Sequence, residues 1–539
     1  MTTSRTLVAG GRVFTSDPDR PWAEAMVVEG DRIVHVGDDA SARALAGDDA
    51  DVVDLAGGVA MPGFVDGHAH LLMTGGALLK AQLRFCTSLD EIRGKLIEWR
   101  AANPDAPRVL GIAWQYSALP GSLPHRAMLD DLFPDVPVYL DSFDLHSAWV
   151  NTAALRELGI TNDTPNPIGG EIVRDPATGE ATGHLQETAC INWVWPLLAR
   201  VGDAGRDAHL AATLRAYNET GVTTSVEMAL EDSALAAMRR AEAAGSLTVR
   251  VVAHCIVHRD EDPDEELAQV RRAAALAAEP SSDLLRVIGI KLIGDGTIDG
   301  CTAALTEPYT TGANADPIWD AESMRRVVVE ADALGLQIAI HAIGDYTVRI
   351  AVDALEEAAR VNGTTGRRHR IEHLEYTDDV EIGRLAPAGI TASMQPVHID
   401  PVIYSNWGAM LGDERAQKGF AWRAFLEAGA TLAFGTDTPT APHEPLHNMY
   451  IAATRKSPYD DSLPPHRPDH ALPLEEAVVH GTRDSAWASF LEDRVGTLAP
   501  GLFADYIVLD RDPFAEGPKA LLEAQVVRTV LGGRTVHPR

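Results

Sequence analysis

Gly63-Phe64-Val65-Asp66-Gly67-His68-Ala69-His70 ends an apolar run that begins at Ala60. Strand side chains repeat every two residues, so His68 and His70 project to one side with the small Ala69 between them. Two imidazoles on one face are a natural pair of ligands for a divalent cation. Taken alone, the pair reads as readily as two surface histidines. The way the other apolar runs end gives it direction.

Seven further strand-like runs follow: Val222–Val226, Val249–Cys255, Val287–Ile293, Gln337–Ile340, His369–Ile371, Thr391–Met394 and Thr431–Phe434. Helix-length segments bridge them, among them Ser233–Ala244, Ala321–Leu334, Val348–Val361 and Trp422–Ala428. Eight strands with crossover helices predict an α/β fold, a (β/α)8 TIM barrel over residues 61–489. The gap of roughly 150 residues after the first strand is far too long for a crossover. It predicts a lid or substrate subdomain inserted after barrel strand 1 over 79–206, with its own strands at Arg108–Ile112 and Val136–Leu140. Both ends of the chain are β-rich. Thr6–Ala9, Gly11–Phe14, Ala25–Glu29 and Arg32–Val36, with Gly30-Asp31 as a hairpin turn, mirror Asp505–Leu509, Val526–Leu531 and Arg534–Val536. Residues 1–60 and 490–539 are therefore expected to build one small β-sandwich domain from both termini.

The barrel strands end in chemistry. His341 closes Gln337-Ile-Ala-Ile-His341, His373 closes Arg370-Ile-Glu-His373, and Asp437 closes Thr431-Leu-Ala-Phe-Gly-Thr-Asp437. Lys291, one of only six lysines, lies inside the apolar run Val287-Ile-Gly-Ile-Lys291-Leu-Ile-Gly-Asp295. A lone buried ammonium there is costly unless its pKa shifts or it gains a partner. Each residue singly admits a bland account: a histidine bonded to a carbonyl, a capping aspartate, a snorkelling lysine. Five strands delivering metal-compatible groups at the end where barrel active sites are built is a joint pattern, and it points to a metal site.

Composition narrows the class. The 539 residues are 45% hydrophobic and 23% charged, an ordinary globular balance that excludes disordered and fibrous classes. No uncharged apolar run reaches the ~18 residues of a membrane span, and Met1 to Gly11 does not read as a signal peptide. The net charge of −32 disfavours nucleic acid and anionic lipid as partners. Cys86, Cys190, Cys255 and Cys301 are scattered without a CxxC pair, so neither a disulfide framework nor a thiolate zinc site is expected, and a reducing cytoplasm is the default.

The ordered set of the HxH pair, Lys291, His341, His373 and Asp437 resembles the ligand order of the amidohydrolase superfamily. Within it the chain is similar to the branch that includes N-substituted formamide deformylases. Leu83-Arg84-Phe85-Cys86-Thr87-Ser88, Phe143 to Asn151, Gly183-His184-Leu185, His341-Ala-Ile-Gly-Asp345, Ser393-Met-Gln395-Pro396 and Gly496 to Asp510 carry the likeness over nearly the whole chain. Phe85, where relatives often have glycine, and Thr436, where serine often precedes the aspartate, depart from it. The resemblance implies that His68, His70 and Asp437 hold the more buried metal and that His341 and His373 hold a second. Lys291, carboxylated, would bridge the two. It implies Asp437, Lys291 and His341 as the catalytic group, with hydrolysis of a carbon–nitrogen bond (amide or N-acyl/N-formyl) in a small molecule by a metal-activated hydroxide. Zinc is the default ion, one or two per chain, and manganese, iron or cobalt would also fit.

The same site acting on a cyclic amide, an imine or an ester stays open. So does a one-metal enzyme with unmodified Lys291, and a non-catalytic scaffold. In the insertion, Trp114, Tyr116 and Trp149 offer an apolar wall or ordinary lid packing, and Asp144 and His146 are candidates to line the substrate pocket. Gln395 and His398 follow the seventh strand and are candidate substrate contacts. Asp345 reads as an orienter of a ligand histidine or as a helix cap. A homodimer is the prior for self-association.

Overall fold

In the computed structural model, residues 5–143, 147–167, 170–198, 200–363, 365–400, 404 and 407–538 are described. The chain divides into two compact units, Met1–His70 with Leu214–Arg539, and Leu71–Thr213.

The first unit holds eight parallel strands paired in chain order. They are β1 Phe64–Ala69, β2 Val222–Leu230, β3 Arg250–Ile256, β4 Leu285–Ile293, β5 Gln337–Ala342, β6 Arg370–His373, β7 Thr391–Met394 and β8 Leu432–Phe434. Strands covered on both faces read as continuous apolar runs, which is why most of them were visible in the sequence. The seam closes just beyond β8. Asp437 N–H donates to His68 O (2.8 Å), and His70 N–H donates to Thr438 O (3.1 Å). Asp320 caps the helix Ala321–Ala333 by accepting from the Glu322 and Ser323 amides, and Asp262 caps the helix Pro263–Ala277. No helix among the described residues is long and apolar enough to cross a membrane.

The expected first strand, Ala60–Val65, is corrected. It splits at Gly63 into Val59–Pro62, which pairs antiparallel with Tyr506–Leu509, and β1. A Cβ at Gly63 would lie 2.2 Å from Thr223 Oγ1, so only glycine lets the chain pass from one sheet to the other there.

Val59–Pro62 belongs to a six-stranded sheet that also takes Arg12–Phe14, Trp22–Ala23, Val526–Leu531 and Arg534–Pro538. A four-stranded sheet is built from Arg5–Ala9, Ala25–Glu29, Arg32–Gly37 and Asp51–Asp54. One core joins the two, with Val8, Met26, Val28 and Ile33 from one sheet and Val13, Ala60, Val508 and Val530 from the other. Arg250, the first residue of β3, donates to Asp505 through Nε (2.6 Å) and Nη2 (3.0 Å), which ties the barrel to this terminal assembly.

The second unit has a mixed six-stranded sheet in the order Gly170–Arg174, Ala181–Glu187, Ser147–Val150, Val138–Ser142, Val109–Trp114, Ala81–Gln82. It runs from Leu71 to Thr213, wider than the expected 79–206. Leu83, Leu96, Trp114, Leu140 and Trp149 fill its core.

Candidate metal centre

The site grows out of the carboxyl ends of the barrel strands. His68 lies within β1 and is 1% exposed. Its Nδ1–H donates to Glu372 Oε2 at 2.7 Å, and its Nε2 lies 3.3 Å from Asp437 Oδ1. Burial pushes the His68 imidazole down to about 3, helped by the charge of Lys291. The ring is therefore neutral, its one proton is committed to Glu372, and its Nε2 lone pair faces the centre. His70 behaves oppositely. Burial works against its protonation, but hydrogen bonds with Asp437 and Glu227 raise it to about 9. Its Nε2 is 3.1 Å from the same Oδ1 of Asp437.

Lys291 is 1% exposed on β4, with Nζ 3.5 Å from His68 Nε2. Burial lowers its amine to about 8, although the charges of Glu372 and Asp437 act the other way. The His373 ring sits 4.9 Å from that of His68, 4.4 Å from that of His341 and 5.7 Å from that of His398.

Two of these residues sit in strained backbone: His373 at φ +77° and Asp437 at φ +56°. Non-glycine residues held in the left-handed region cost about 1–3 kcal/mol each and cluster at functional sites. The Asp437 turn is pinned through Asp66, which accepts from the Thr436 amide (2.9 Å), Thr436 Oγ1 (2.7 Å) and Tyr217 Oη (2.9 Å). At the same seam a Cβ on Gly435 would meet His68 N at 2.3 Å, so the close approach of the last strand to the first requires glycine.

Among the described residues, two groups have ligand atoms lying within 4.8 Å of one another: His68, His70 and Asp437, and His373, His398 and Asp437. Two atoms each bonded to one tetrahedral ion at about 2.1 Å lie about 3.4 Å apart. The spacings of 3.1 and 3.3 Å from Asp437 Oδ1 to the Nε2 atoms of His70 and His68 match that figure. His341 Nε2 lies 3.2 Å from Gly296 O and 3.4 Å from Asp295 Oδ1. Asp295 also accepts from the Ile343, Gly344 and Ala304 amides, fixing the segments that follow β4 and β5.

The weaker candidates separate. Gln395 follows β7, is 2% exposed, and both polar atoms of its carboxamide lack a hydrogen-bond partner among the described residues. His398 reaches the Asp437 carboxylate, with Nε2 3.6 Å from Oδ2. Trp114 is corrected: it is wholly buried in the core of the inserted unit and donates Nε1–H to Leu140 O (2.9 Å), so it packs that unit instead of walling a pocket. Tyr116 Oη is bonded to Ser147 Oγ (2.8 Å) and His184 Nε2 (3.2 Å). Asp144 and His146 lie outside the described residues. Asp345 accepts from the Thr306 amide (2.9 Å) as the first residue of the helix Asp345–Asn362, whose cap is Gly344, and among the described residues it makes no hydrogen bond to a histidine.

Sequence reasoning missed Glu227, Glu372, Glu375 and Asp66. Glu227 carried the signal that exposed Lys291, an ionisable residue inside an apolar run. Glu372 lies two residues from Arg370, on the same side of β6.

The sequence profile of the amidohydrolase family matches residues 51–537. The chain belongs to the amidohydrolase family. This amidohydrolase is 30% identical to Protein LONG AFTER FAR-RED 3 of Arabidopsis thaliana, over 99% of this chain and 91% of that one. It is 29% identical to the N-substituted formamide deformylase of Arthrobacter pascens, over 98% of this chain and 97% of that one. A crystal structure of an uncharacterized metal-dependent hydrolase from Pyrococcus horikoshii OT3 superposes at a TM-score of 0.77 with 26% identity, covering 99% of this chain and 100% of the other. Family membership and these likenesses make the chain a metal-dependent hydrolase with a small-molecule substrate, and its histidine–aspartate groups suit a divalent ion.

Proposed function

We propose that this amidohydrolase cleaves a carbon–nitrogen bond, an amide or N-acyl/N-formyl bond, in a small molecule. The observation that carries the reading is Asp437. It is a buried carboxylate with one oxygen within 3.3 Å of the Nε2 atoms of both His68 and His70. The donor set fits a divalent ion: neutral His68 offers a lone pair, Asp437 offers an anion, and His373 Nδ1 is buried without a hydrogen-bond partner among the described residues. His68, His70 and Asp437 would hold one ion, with His341 and His373 holding a second. Zinc suits imidazole and carboxylate ligands.

Lys291 would join the two positions as a carbamate. Only a neutral amine can attack carbon dioxide, and burial brings this amine to about 8, near working pH. Carboxylation also turns a buried cation into an anionic oxygen ligand, which removes the cost of burying it. A divalent ion held there would supply Lewis acidity, acidifying the attacking water and polarising the scissile carbonyl. Asp437 takes the proton of the attacking water and returns it to the leaving nitrogen, a carboxylate near the reacting atoms serving in turn as base and acid. The strained Asp437 turn, fixed by Asp66, holds that carboxylate at the seam. The formamide deformylase likeness supports an acyl–nitrogen bond. The four unpaired cysteines, three of them buried, support a reducing cytoplasm.

The test is metal per chain by elemental mass spectrometry, paired with hydrolysis of N-formyl and N-acyl amines against matched esters. About two ions per chain and turnover of the amides are expected. Lys291→Ala should lower both metal content and activity, with partial rescue by short carboxylic acids. Unchanged metal content in that variant would remove the bridging role. Turnover of the esters alone would overturn the carbon–nitrogen assignment.

A further inference from the structure

The geometry points to His398 as a metal ligand, completing with His373 and Asp437 a position that the family resemblance does not assign, and to Glu375 as the residue that orients it. The inference rests on the metal-dependent reading above and concerns a different ligand set.

Asp437 is shared between two groups through different oxygens. Oδ1 serves His68 and His70, whereas Oδ2 lies 3.6 Å from His398 Nε2 and accepts from Thr440 Oγ1 at 3.0 Å. His398 Nδ1 is 2.8 Å from Glu375 Oε1. A carboxylate acceptor there takes the Nδ1 proton and sets the other nitrogen as the ligating one, the arrangement that orients metal-binding histidines generally. His398 Nε2 is buried and makes no hydrogen bond among the described residues.

The Nε2 to Oδ2 distance is too long for a direct hydrogen bond and close to the ~3.4 Å between two ligands of one ion. His373, 3% exposed, is the third member, and its ring lies parallel to that of His398 at 8°. Its Nδ1 likewise has no hydrogen bond among the described residues. His341, expected in this second position, lies outside both close groups, and with its Nε2 against Gly296 O and Asp295 it has only its other ring nitrogen left for an ion. A residue placed only to touch substrate has no reason to aim at a ligand carboxylate across the width of an ion.

The test is done on the full-length enzyme as purified. Wild type, His398→Ala and Glu375→Gln are dialysed against graded dipicolinate, and zinc per chain is counted. The cobalt-substituted forms are compared by visible absorption. His398→Ala should lose about one ion per chain and alter the cobalt bands, and Glu375→Gln should weaken binding about 10- to 100-fold. The conservative Glu375→Gln keeps the argument testable should the alanine variant misfold. Wild-type stoichiometry, affinity and cobalt bands in both variants, with only KM raised, would overturn the ligand assignment and leave the hydrolase reading standing. A wild-type protein that takes up no zinc, cobalt or manganese would instead bring down the reading beneath it.

Discussion

His68 stands between two buried carboxylates, and its two sides differ. On the inner side Glu372 accepts from His68 Nδ1 and from the Arg370 guanidinium, through Nε at 2.5 Å and Nη2 at 3.1 Å. Arg370 also donates to Gly67 O and Ser393 Oγ. Arg370 and Glu372 are both fully buried. On the outer side Asp437 has no guanidinium among the described residues, and meets imidazole nitrogens, Lys291 in the same centre and the Thr440 hydroxyl. Both carboxylates are held well below the usual range against the effect of burial, Glu372 by Arg370 and His68, Asp437 by His68 and His70. A carboxylate with a resident guanidinium is part of the frame. One surrounded by imidazoles has room for a cation from outside. The same residue type thus serves structure on one face of a ring and chemistry on the other.

The largest expected effect breaks the outer side. Asp437→Asn removes a proton acceptor and an anionic ligand while keeping shape, so kcat should fall by at least about 10²–10⁴-fold. The chemical denaturation midpoint should stay near wild type. Retained turnover would take Asp437 out of the mechanism.

Breaking the inner side should do the reverse. Arg370→Leu leaves Glu372 as an uncompensated buried charge, which costs about 3–5 kcal/mol of stability by urea unfolding. If the inner pair is frame, removing both charges together (Arg370→Leu with Glu372→Leu) destabilises less than the single change. A double variant at least as unstable as the single one would contradict the contrast.

How far the sequence revealed these two sides follows from the barrel's own geometry. The strands were legible because both of their faces are buried, and the outer groups were legible because a histidine, lysine or aspartate closing an apolar run is conspicuous. Gly63 was not, since the run Ala60–Val65 gives no sign that its halves join different sheets. Glu372 and Glu375 flank His373 in a short polar stretch, and which strand residues face inward depends on a register that pairing decides. Asp66 was hidden by its nearness to the histidines. Trp114 misled because an aromatic ring in an insertion reads alike as core or as pocket wall, and only its satisfied N–H and full burial decide between them.

A smaller change sharpens the contrast without breaking either side. Glu372→Gln keeps an oxygen near His68 Nδ1 but weakens the acceptor that fixes the tautomer, so metal affinity should fall about 10- to 100-fold. Competition with a chromophoric chelator would read it. An unchanged affinity would mean that Glu372 serves Arg370 alone.

An effect confined to acid pH, and small near neutrality, lies deeper in the barrel, on a histidine outside the candidate metal groups. His254 on β3 is fully buried, its Nε2 2.8 Å from Gln337 Oε1. Gln337 in turn donates to the carbonyls of Arg368 (2.6 Å) and Ala488 (2.7 Å). Burial first, and then the charge of Arg370, push His254 down to about 3 from its ordinary 6.5. Between those values the unfolded chain binds a proton at this position and the folded chain does not. Stability therefore falls as pH drops from 6.5 towards 3, by up to about 1.4 kcal/mol per pH unit from this group. His254→Gln can still donate to Gln337 and does not titrate, so urea unfolding across that range should show a shallower acid slope by about that amount. Equal slopes in the two proteins would mean that His254 is protonated in the folded state, and that this end of the barrel tolerates a buried cation as readily as the end that would hold the metal.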